Sequence, residues 1–428
     1  MHYLGQEHPL RDTLDKEINA RPYIPLSMPE RVSHIALKTG ETGGVEERDH
    51  LGALCEKYDV PPPPDGATHF IADMGPFRLR WERHTEFSTY TFFRSEVCEE
   101  PFLHPVIELV SKDWLAEMPG EVINAVHLEL EHKDTPRRKP SEISRLFGGQ
   151  TYIGCSIGGG AAEMCTDLRI QEDRFGRILM RDVSMTARQA GRTIQRVLEI
   201  ETYRFMALLG LPFAREASPD IRRIDDSLAE IAGKMSDKSD EFKDGELLED
   251  LSTLAAEIES ISAHNSYRFG ATRAYYAIVQ QRLNELREDR MKGLPTLSET
   301  IERRMAPAMK TCEYTATRQD FLSRRVTRVA GLLRARVEVE LEKQNQEVLE
   351  TMNKRAGLQL RLQETVEGLS VVAISYYLIG LLGYGFKAAK AAGLPINPDI
   401  AVGVAVPVVA FLIWSGLRKA KKILLSGG

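Results

Sequence analysis

Hydrophobic and polar residues follow three different patterns along this 428-residue chain. Up to about residue 183, apolar and polar positions alternate over short runs: ATHFIAD, FRLRWER, EFSTYTFFR, VINAVHLELE, TYIGCSI, AEMCTDLRI and RILMRDV. Alternation at period two predicts strands. The runs ERDHLGALCEKY and PVIELVSKDWLAEM step at helical spacing instead and predict helices. FRLRWERHTEFSTYTFFR reads as a hairpin, so the sheet is expected to be at least partly antiparallel. The prolines Pro61 to Pro64 are expected to separate a short N-terminal portion from that sheet.

From Ala187 to the first long apolar run, helical periods dominate. A first helix is expected from Ala187 to Leu209, broken by Gly210, Pro212 and Ser218-Pro219. After the polar stretch SDKSDEFKDG, Leu247, Leu251, Leu254, Ile258 and Ile261 step by four and three, as in a coiled-coil seam. Asn265 and Arg268 interrupt the seam, and Tyr275, Val279, Leu283 and Leu286 restore it. Packing of this helix on the core of the strand-rich region is the alternative. Gly293 and Pro295 end it, and Thr296-Leu297-Ser298-Glu299 offers a capping box for the next.

That next helix keeps Leu322, Val326, Val329, Leu333, Val337 and Leu341 largely on one face and continues through Val348, Met352 and Leu362. Pro307 is expected to bend it near its start. Roughly seventy residues at 1.5 Å each would make a rod on the order of 100 Å. With a turn near Gly293, acidic residues of the first arm (Glu246, Glu249, Asp250, Glu257, Glu259) are expected to lie opposite roughly 327–340, in or beside which fall Arg324, Arg325, Arg328, Arg334 and Arg336. Such pairing sets register more than it adds stability.

The third pattern is continuous. Gly368 to Phe386 and Ile400 to Leu417 carry no charged residue. A bilayer's hydrocarbon core takes a helix of about 20 apolar residues, so both runs predict transmembrane helices. Arg418, Lys419, Lys421 and Lys422 follow the second run, which places the tail in the cytoplasm by the positive-inside rule. Two crossings then return the N-terminal region to the cytoplasm, in keeping with a start, MHYLGQEHPLRDTLDKEINARP, that has no apolar segment of signal-peptide type. Ala373, Gly380, Gly383 and Gly385 in the first span, and Ala401, Gly403, Ala405 and Ala410 in the second, are small enough for close helix approach. Mid-span Tyr376 and Tyr377 are expected at a helix–helix interface, where their hydroxyls find partners.

Composition adds little. A net charge of −6 gives no general attraction to nucleic acid, and an acidic counterpart accounts for the arginines of the long helix. Cys55, Cys98, Cys155, Cys165 and Cys312 form no C-x-x-C pair, which argues against a zinc site or a disulfide framework and fits a reducing compartment.

Candidate chemistry is sparse. Gly154-Cys155-Ser156-Ile157-Gly158 spells the serine-hydrolase elbow pattern G-x-S-x-G, which requires a strand, a sharp turn and a helix. Here Gly158-Gly159-Gly160 and an alternating run follow, which predicts a hairpin. Nine of the ten histidines precede Ser156, and only His264 follows it. The glycines lack the helix N-terminus of a phosphate loop. His127 and His132, five apart on a strand, point to opposite faces and share no metal. No catalytic, cofactor-binding or metal-binding residue is expected.

The stretches HPLRDTLDKEINARPYIPLSMPERVSHIAL and LQLRLQETVEGLSVVAISYYLIGLLGY resemble a family of membrane-anchored bacterial proteins defined only as a domain of unknown function. The overall plan is also similar to that of CorA-type magnesium channels, homopentamers whose first span lines the pore. Their Gly-Met-Asn signature does not occur; the corresponding place reads Gly383-Tyr384-Gly385-Phe386. In a ring of copies, Gln359, Gln363 and Glu367 would share one helix face at a pore mouth and could draw a divalent cation.

The expected fold is an α+β cytoplasmic head with a mixed or antiparallel sheet (1–183), a long antiparallel, coiled-coil-like helical stalk (184–367), a transmembrane hairpin (368–417, spans 368–386 and 400–417) and a basic tail (418–428). The expected function is that of a non-enzymatic scaffold or assembly protein of the bacterial inner membrane. Its expected partners are the lipid bilayer and further copies of itself, with no cofactor and no nucleic acid. The competing expectation is a CorA-like channel for divalent cations.

Overall fold

A computed structural model describes residues 7–12, 14–15, 23–40, 44–97, 99–236, 244–393 and 395–425. The chain divides into two units, Met1–Ala330 and Gly331–Gly428.

The first unit is organised by one sheet. Its strands are β1 (Glu30–Lys38), β2 (His69–Asp73), β3 (Arg78–Arg83), β4 (Phe87–Arg94), β5 (Glu121–Glu131), β6 (Ile153–Ile157), β7 (Ala162–Thr166), β8 (Gly176–Asp182) and β9 (Asp289–Arg290). They lie in the order β2-β3-β4-β1-β5-β8-β7-β6-β9. Only β5 and β8 run parallel; the other neighbours are antiparallel. The sheet is mixed, as expected.

The N-terminal portion is not separate from it. β1 sits between β4 and β5 at the centre, and every residue of it except Lys38 is buried. Its sequence hides this because polar side chains point inward on both faces and are satisfied there. Glu30 accepts from Arg78 at 2.8 Å and from Ser95 at 2.7 Å. Ser33 Oγ meets His127 Nδ1 at 3.0 Å, and Arg31 donates to Glu129 at 3.2 Å.

Helices cover both faces. On one side lie α1 (Gly44–Lys57), a 3-10 turn (Val106–Leu109), α2 (Lys112–Ala116) and α3 (Pro140–Leu146). There Leu51, Phe77, Trp81, Tyr90, Phe92 and Trp114 form an aromatic core. The single helix expected over PVIELVSKDWLAEM is split because Val110 is extended and Ser111 starts a new turn. Likewise β7 stops at Thr166 rather than Ile170: Leu168 takes a positive φ of 55°, and Asp167 caps the Arg169 N–H at 3.1 Å.

The other face carries α4 (Ala187–Leu208), α6 (Asp244–Leu286) and the beginning of α7 (Leu297–Ala391). Leu128, Met164, Met180, Ile194, Val279 and Ile301 belong to one continuous core on this side. A capping box starts α4: Thr186 Oγ1 accepts from the Gln189 N–H at 3.3 Å, and Gln189 Oε1 accepts from the Thr186 N–H at 2.8 Å. About one turn into α4, Gly191 lets the segment around Ile24 lie against the helix. A Cβ there would stand 2.0 Å from the Ile24 carbonyl oxygen. Gly191→Ala is therefore expected to lower stability by about 1–3 kcal/mol, measured by urea unfolding, despite alanine's better helix propensity.

The helix break expected around 210–219 is confined to Leu209. α5 (Gly210–Ser236) begins immediately, with Pro212 in its first turn, where an N–H has no helical acceptor, and Pro219 inside it. Gly210 is needed for contact, since a Cβ would meet Thr272 Oγ1 at 2.3 Å. The buried residues Ala214, Ala217, Ile221, Ile224, Leu228 and Ile231 give α5 a seam stepping by three and four. Positions 237–243 of the expected linker lie outside the described residues.

The antiparallel arms α6 and α7 turn at Gly293, whose φ is +82°. The capping box at α7 is present: the Glu299 N–H reaches Thr296 Oγ1 at 3.3 Å, and the Thr296 N–H reaches Glu299 Oε2 at 3.2 Å. Two arginines of α7, Arg318 and Arg325, find their acid on α5. Asp225 pairs with Arg318 and, at 2.9 Å, with Arg325, while Arg223 of α5 pairs with Glu257 of α6 at 2.9 Å. Three helices share the bundle, as the joint cluster of Ala214, Phe269 and Cys312 shows, where a pair was expected.

In the second unit, α7 from Leu332 onward exposes Val339, Leu341, Val348, Met352 and Leu362. Toward its end and in α8 (Pro398–Leu425) lie two stretches long and apolar enough to cross a membrane, almost wholly unburied within the chain. Pro407 is accommodated inside α8. Lys421 and Lys422 belong to this helix, but their side chains lie outside the described residues, as do positions 426–428.

Candidate functional site

The face of the sheet beneath α4 changes character from one side to the other. Under β5, β8 and β7 it presents Val126, Leu128, Ile178, Met180 and Met164. Under β3, β4 and β1 the inward positions are Arg80, Glu82, Thr89, Thr91 and His34. Polar side chains of this kind cannot close a core by apolar contact, and a cavity of about 250 Å³ remains between them and α4.

Its charged groups are paired across and along the elements. Arg80 donates to Glu82 at 2.6 Å, with the arginine side chain 7% and the glutamate 13% exposed. From the helical side, Arg282 of α6 reaches Glu199 of α4 and, at 3.0 Å, Glu285 of its own helix. Gln195 Nε2 also donates to Glu199, at 2.9 Å. His34 lies between two hydroxyls, Thr91 Oγ1 at 2.8 Å from Nδ1 and Thr202 Oγ1 at 3.0 Å from Nε2. Burial, reinforced by the Arg80 guanidinium, lowers its pKa to about 3. His34 is consequently a neutral hydrogen-bonding group at physiological pH. Phe87 forms an aromatic wall, stacked on His84 at 4.3 Å and edge-on to Tyr203 at 5.8 Å.

Near the cavity, Arg268 of α6 is buried against Glu86 in the β3–β4 turn, with contacts of 3.1 and 2.5 Å. Burial and the Glu86 carboxylate push the Tyr275 hydroxyl pKa up. The polar interruption of the α6 seam is thus where the helix docks on the sheet.

The residues singled out from sequence fall elsewhere. Ser156 lies in β6, and Gly158, Gly159 and Gly160, with φ of +66°, +69° and +88°, form the β6–β7 hairpin turn. The strand–turn–helix of an elbow is replaced by strand–turn–strand, and His264 lies tilted against Phe213 in the helical bundle, ring centroids 5.5 Å apart. His127 is buried on Phe175 at 3.9 Å, its pKa lowered to about 4 mainly by desolvation, whereas His132 pairs with Asp134 at 3.2 Å. Among the described residues no group of three acidic, histidine or cysteine side chains could hold a metal. Cys55, Cys155, Cys165 and Cys312 are buried free thiols; Cys98 lies outside the described residues.

Gln359, Gln363 and Glu367 follow each other on α7, the first two exposed and Glu367 half-buried. Of the small residues in the apolar stretches, Gly383 approaches α8, its Cβ position 3.5 Å from Val402 Cγ2. Gly380, Gly385 and Gly403 have open space where a side chain would be, and Ala373 is exposed. Tyr376 and Tyr377 are 76% and 73% exposed, so α8 of the same chain does not cover them.

The cavity residues were missed by sequence reasoning, though one signal existed. In FRLRWER, Arg78, Arg80 and Glu82 occupy one strand face and Leu79 and Trp81 the other. A polar face normally meets solvent; here a helix lies over it.

A search of curated proteins found no match to this chain. A family match runs over residues 6–424, nearly the whole length, and the chain therefore belongs to the family described as Protein of unknown function (DUF3422).

Proposed function

We propose that this protein is a non-catalytic assembly or scaffold protein anchored in the bacterial inner membrane by the apolar stretches of α7 and α8, with its larger unit and its C-terminal tail in the cytoplasm. The observation that carries the reading is the exposure of those two stretches. A soluble protein buries its most apolar helices, and almost none of either stretch is covered by the rest of the chain. Tyr376 and Tyr377, mid-stretch and uncovered, support contact with further copies of the chain, as does the apolar row Leu341, Val348, Met352 and Leu362 on α7. Lys387 and Lys390 before the connection between the stretches are outnumbered by the basic residues after the second, which supports a cytoplasmic tail.

Alkaline extraction of bacterial membranes tests the anchoring. The full-length chain is expected to stay with the lipid pellet and, after solubilisation in mild detergent, to show a mass that is a multiple of the single chain. Release by alkali would contradict the anchor, and a single-chain mass would contradict the assembly.

A further inference from the structure

We propose that the cavity between α4 and strands β1, β3 and β4 is a binding site for a small zwitterion, of the size and charge pattern of a free α-amino acid. The inference concerns only the first unit and is independent of membrane anchoring.

The charge balance of the wall selects the class. Of the side chains that always carry charge, Arg80 and Arg282 contribute two positive charges and Glu82 and Glu199 two negative ones; His34 contributes none, and the other histidine of the wall, His84, lies stacked on Phe87. A cavity with a neutral sum disfavours a ligand of net charge, because that charge would be desolvated with nothing to balance it. A ligand carrying one positive and one negative group meets the opposite situation. The Arg80 guanidinium suits a carboxylate, which it can hold through two parallel N–H groups, and Glu82 beside it suits an ammonium.

The volume limits the size. About 250 Å³ is room for roughly eight waters, which fits an amino acid and is small for a nucleotide. Thr89, Thr91 and Gln195 add neutral donors and acceptors along the wall, and Phe87 adds an apolar surface for a side chain. His34 completes the preorganisation. Locked between Thr91 and Thr202 and kept neutral, it can orient hydroxyls without adding a third positive charge.

Replacing a buried ion pair by apolar residues of similar volume is commonly neutral or stabilising. Arg80 and Glu82 instead keep an open space beside them, which is the arrangement a ligand site needs.

Calorimetric titration of the full chain in mild detergent with each common L-α-amino acid tests the proposal. At least one is expected to bind saturably with Kd of about 10–100 μM, and Arg80→Gln and Glu82→Gln are each expected to weaken it at least about tenfold. Should either variant fail to fold by circular dichroism, Gln195→Leu, on the half-exposed side of α4, is expected to weaken binding while leaving the fold intact. Acetate and methylamine, which carry one charge each, are expected not to bind. Absence of saturable heat with every amino acid would overturn the proposal. So would equal binding of acetate or methylamine, or amino-acid binding unchanged in all three variants.

Discussion

Glu86→Ala is expected to destabilise the first unit by about 3–5 kcal/mol, one of the largest effects of any single substitution outside the apolar core. The carboxylate lies in the β3–β4 turn with its side chain 4% exposed, and its partner Arg268, 9% exposed, comes from the middle of α6. Removing the carboxylate strands a guanidinium that water cannot reach. It also leaves Tyr275 facing that guanidinium without the acid both now share. Truncating the arginine instead is expected to cost a similar amount, because it leaves the carboxylate unpaired. Replacing both, as Glu86→Leu with Arg268→Met, is expected to cost much less than the sum, since neither charge then remains in the interior. Urea unfolding followed by the fluorescence of Trp81 and Trp114 checks this, and simple additivity of the two single changes would contradict it.

Stability is expected to fall with acidification between about pH 6.5 and pH 4, before most exposed carboxylates protonate. His34 has a folded pKa of about 3, well below the value of about 6.5 of an unfolded histidine. A depressed histidine pKa means that the fold favours the neutral ring, so the unfolded chain binds the extra proton first. Its contribution is complete above the unfolded pKa and is lost as pH drops toward the folded one. Between pH 6.5 and 4.5 the loss is about 2 kcal/mol from this residue. His127, with a folded pKa of about 4, acts in the same direction. The titratable groups that line the cavity with His34 are Arg80 and Glu82 of β3, Glu199 and Tyr203 of α4, Arg282 of α6, and His84. Of these, Arg80 opposes protonation of the ring directly. His34→Gln keeps polar atoms near Thr91 and Thr202 but has no titrating ring, and is expected to flatten the pH dependence of unfolding in this window. An unchanged slope in the variant would place the titration elsewhere.

Much of the fold was legible in the sequence, and the exceptions share a cause. Strands β2 to β6 and β8 follow from alternation because each has one apolar face, as Leu79 and Trp81 show in β3. The paired arms α6 and α7 follow from seams of Leu251, Leu254, Ile258 and from Leu322, Val326, all buried. β1 escaped because alternation cannot reveal a strand whose two faces both hold satisfied polar groups such as Glu30, Ser33 and His34. The same burial of polar residues hid the cavity. Its members come from β1, β3, β4, α4 and α6, far apart in the chain, and each read alone is an ordinary strand or helix residue. Asn265 and Arg268 did stand out as flaws in a coiled-coil seam, but the partner that gives Arg268 its meaning, Glu86, is 182 residues away. Long-range polar pairing of this kind leaves no local period to read.

The central claim is that α7 and α8 cross lipid as a pair, and cysteine labelling in intact cells tests it most directly. Single cysteines are introduced as Asn397→Cys, between the two apolar stretches, and as Lys419→Cys, after the second, in a chain whose native thiols are Cys55, Cys98, Cys155, Cys165 and Cys312. With the outer membrane permeabilised, an impermeant maleimide is expected to modify position 397 strongly, and position 419 only after the inner membrane is broken. Equal labelling of both positions in intact cells, or protection of both, would contradict the paired crossing.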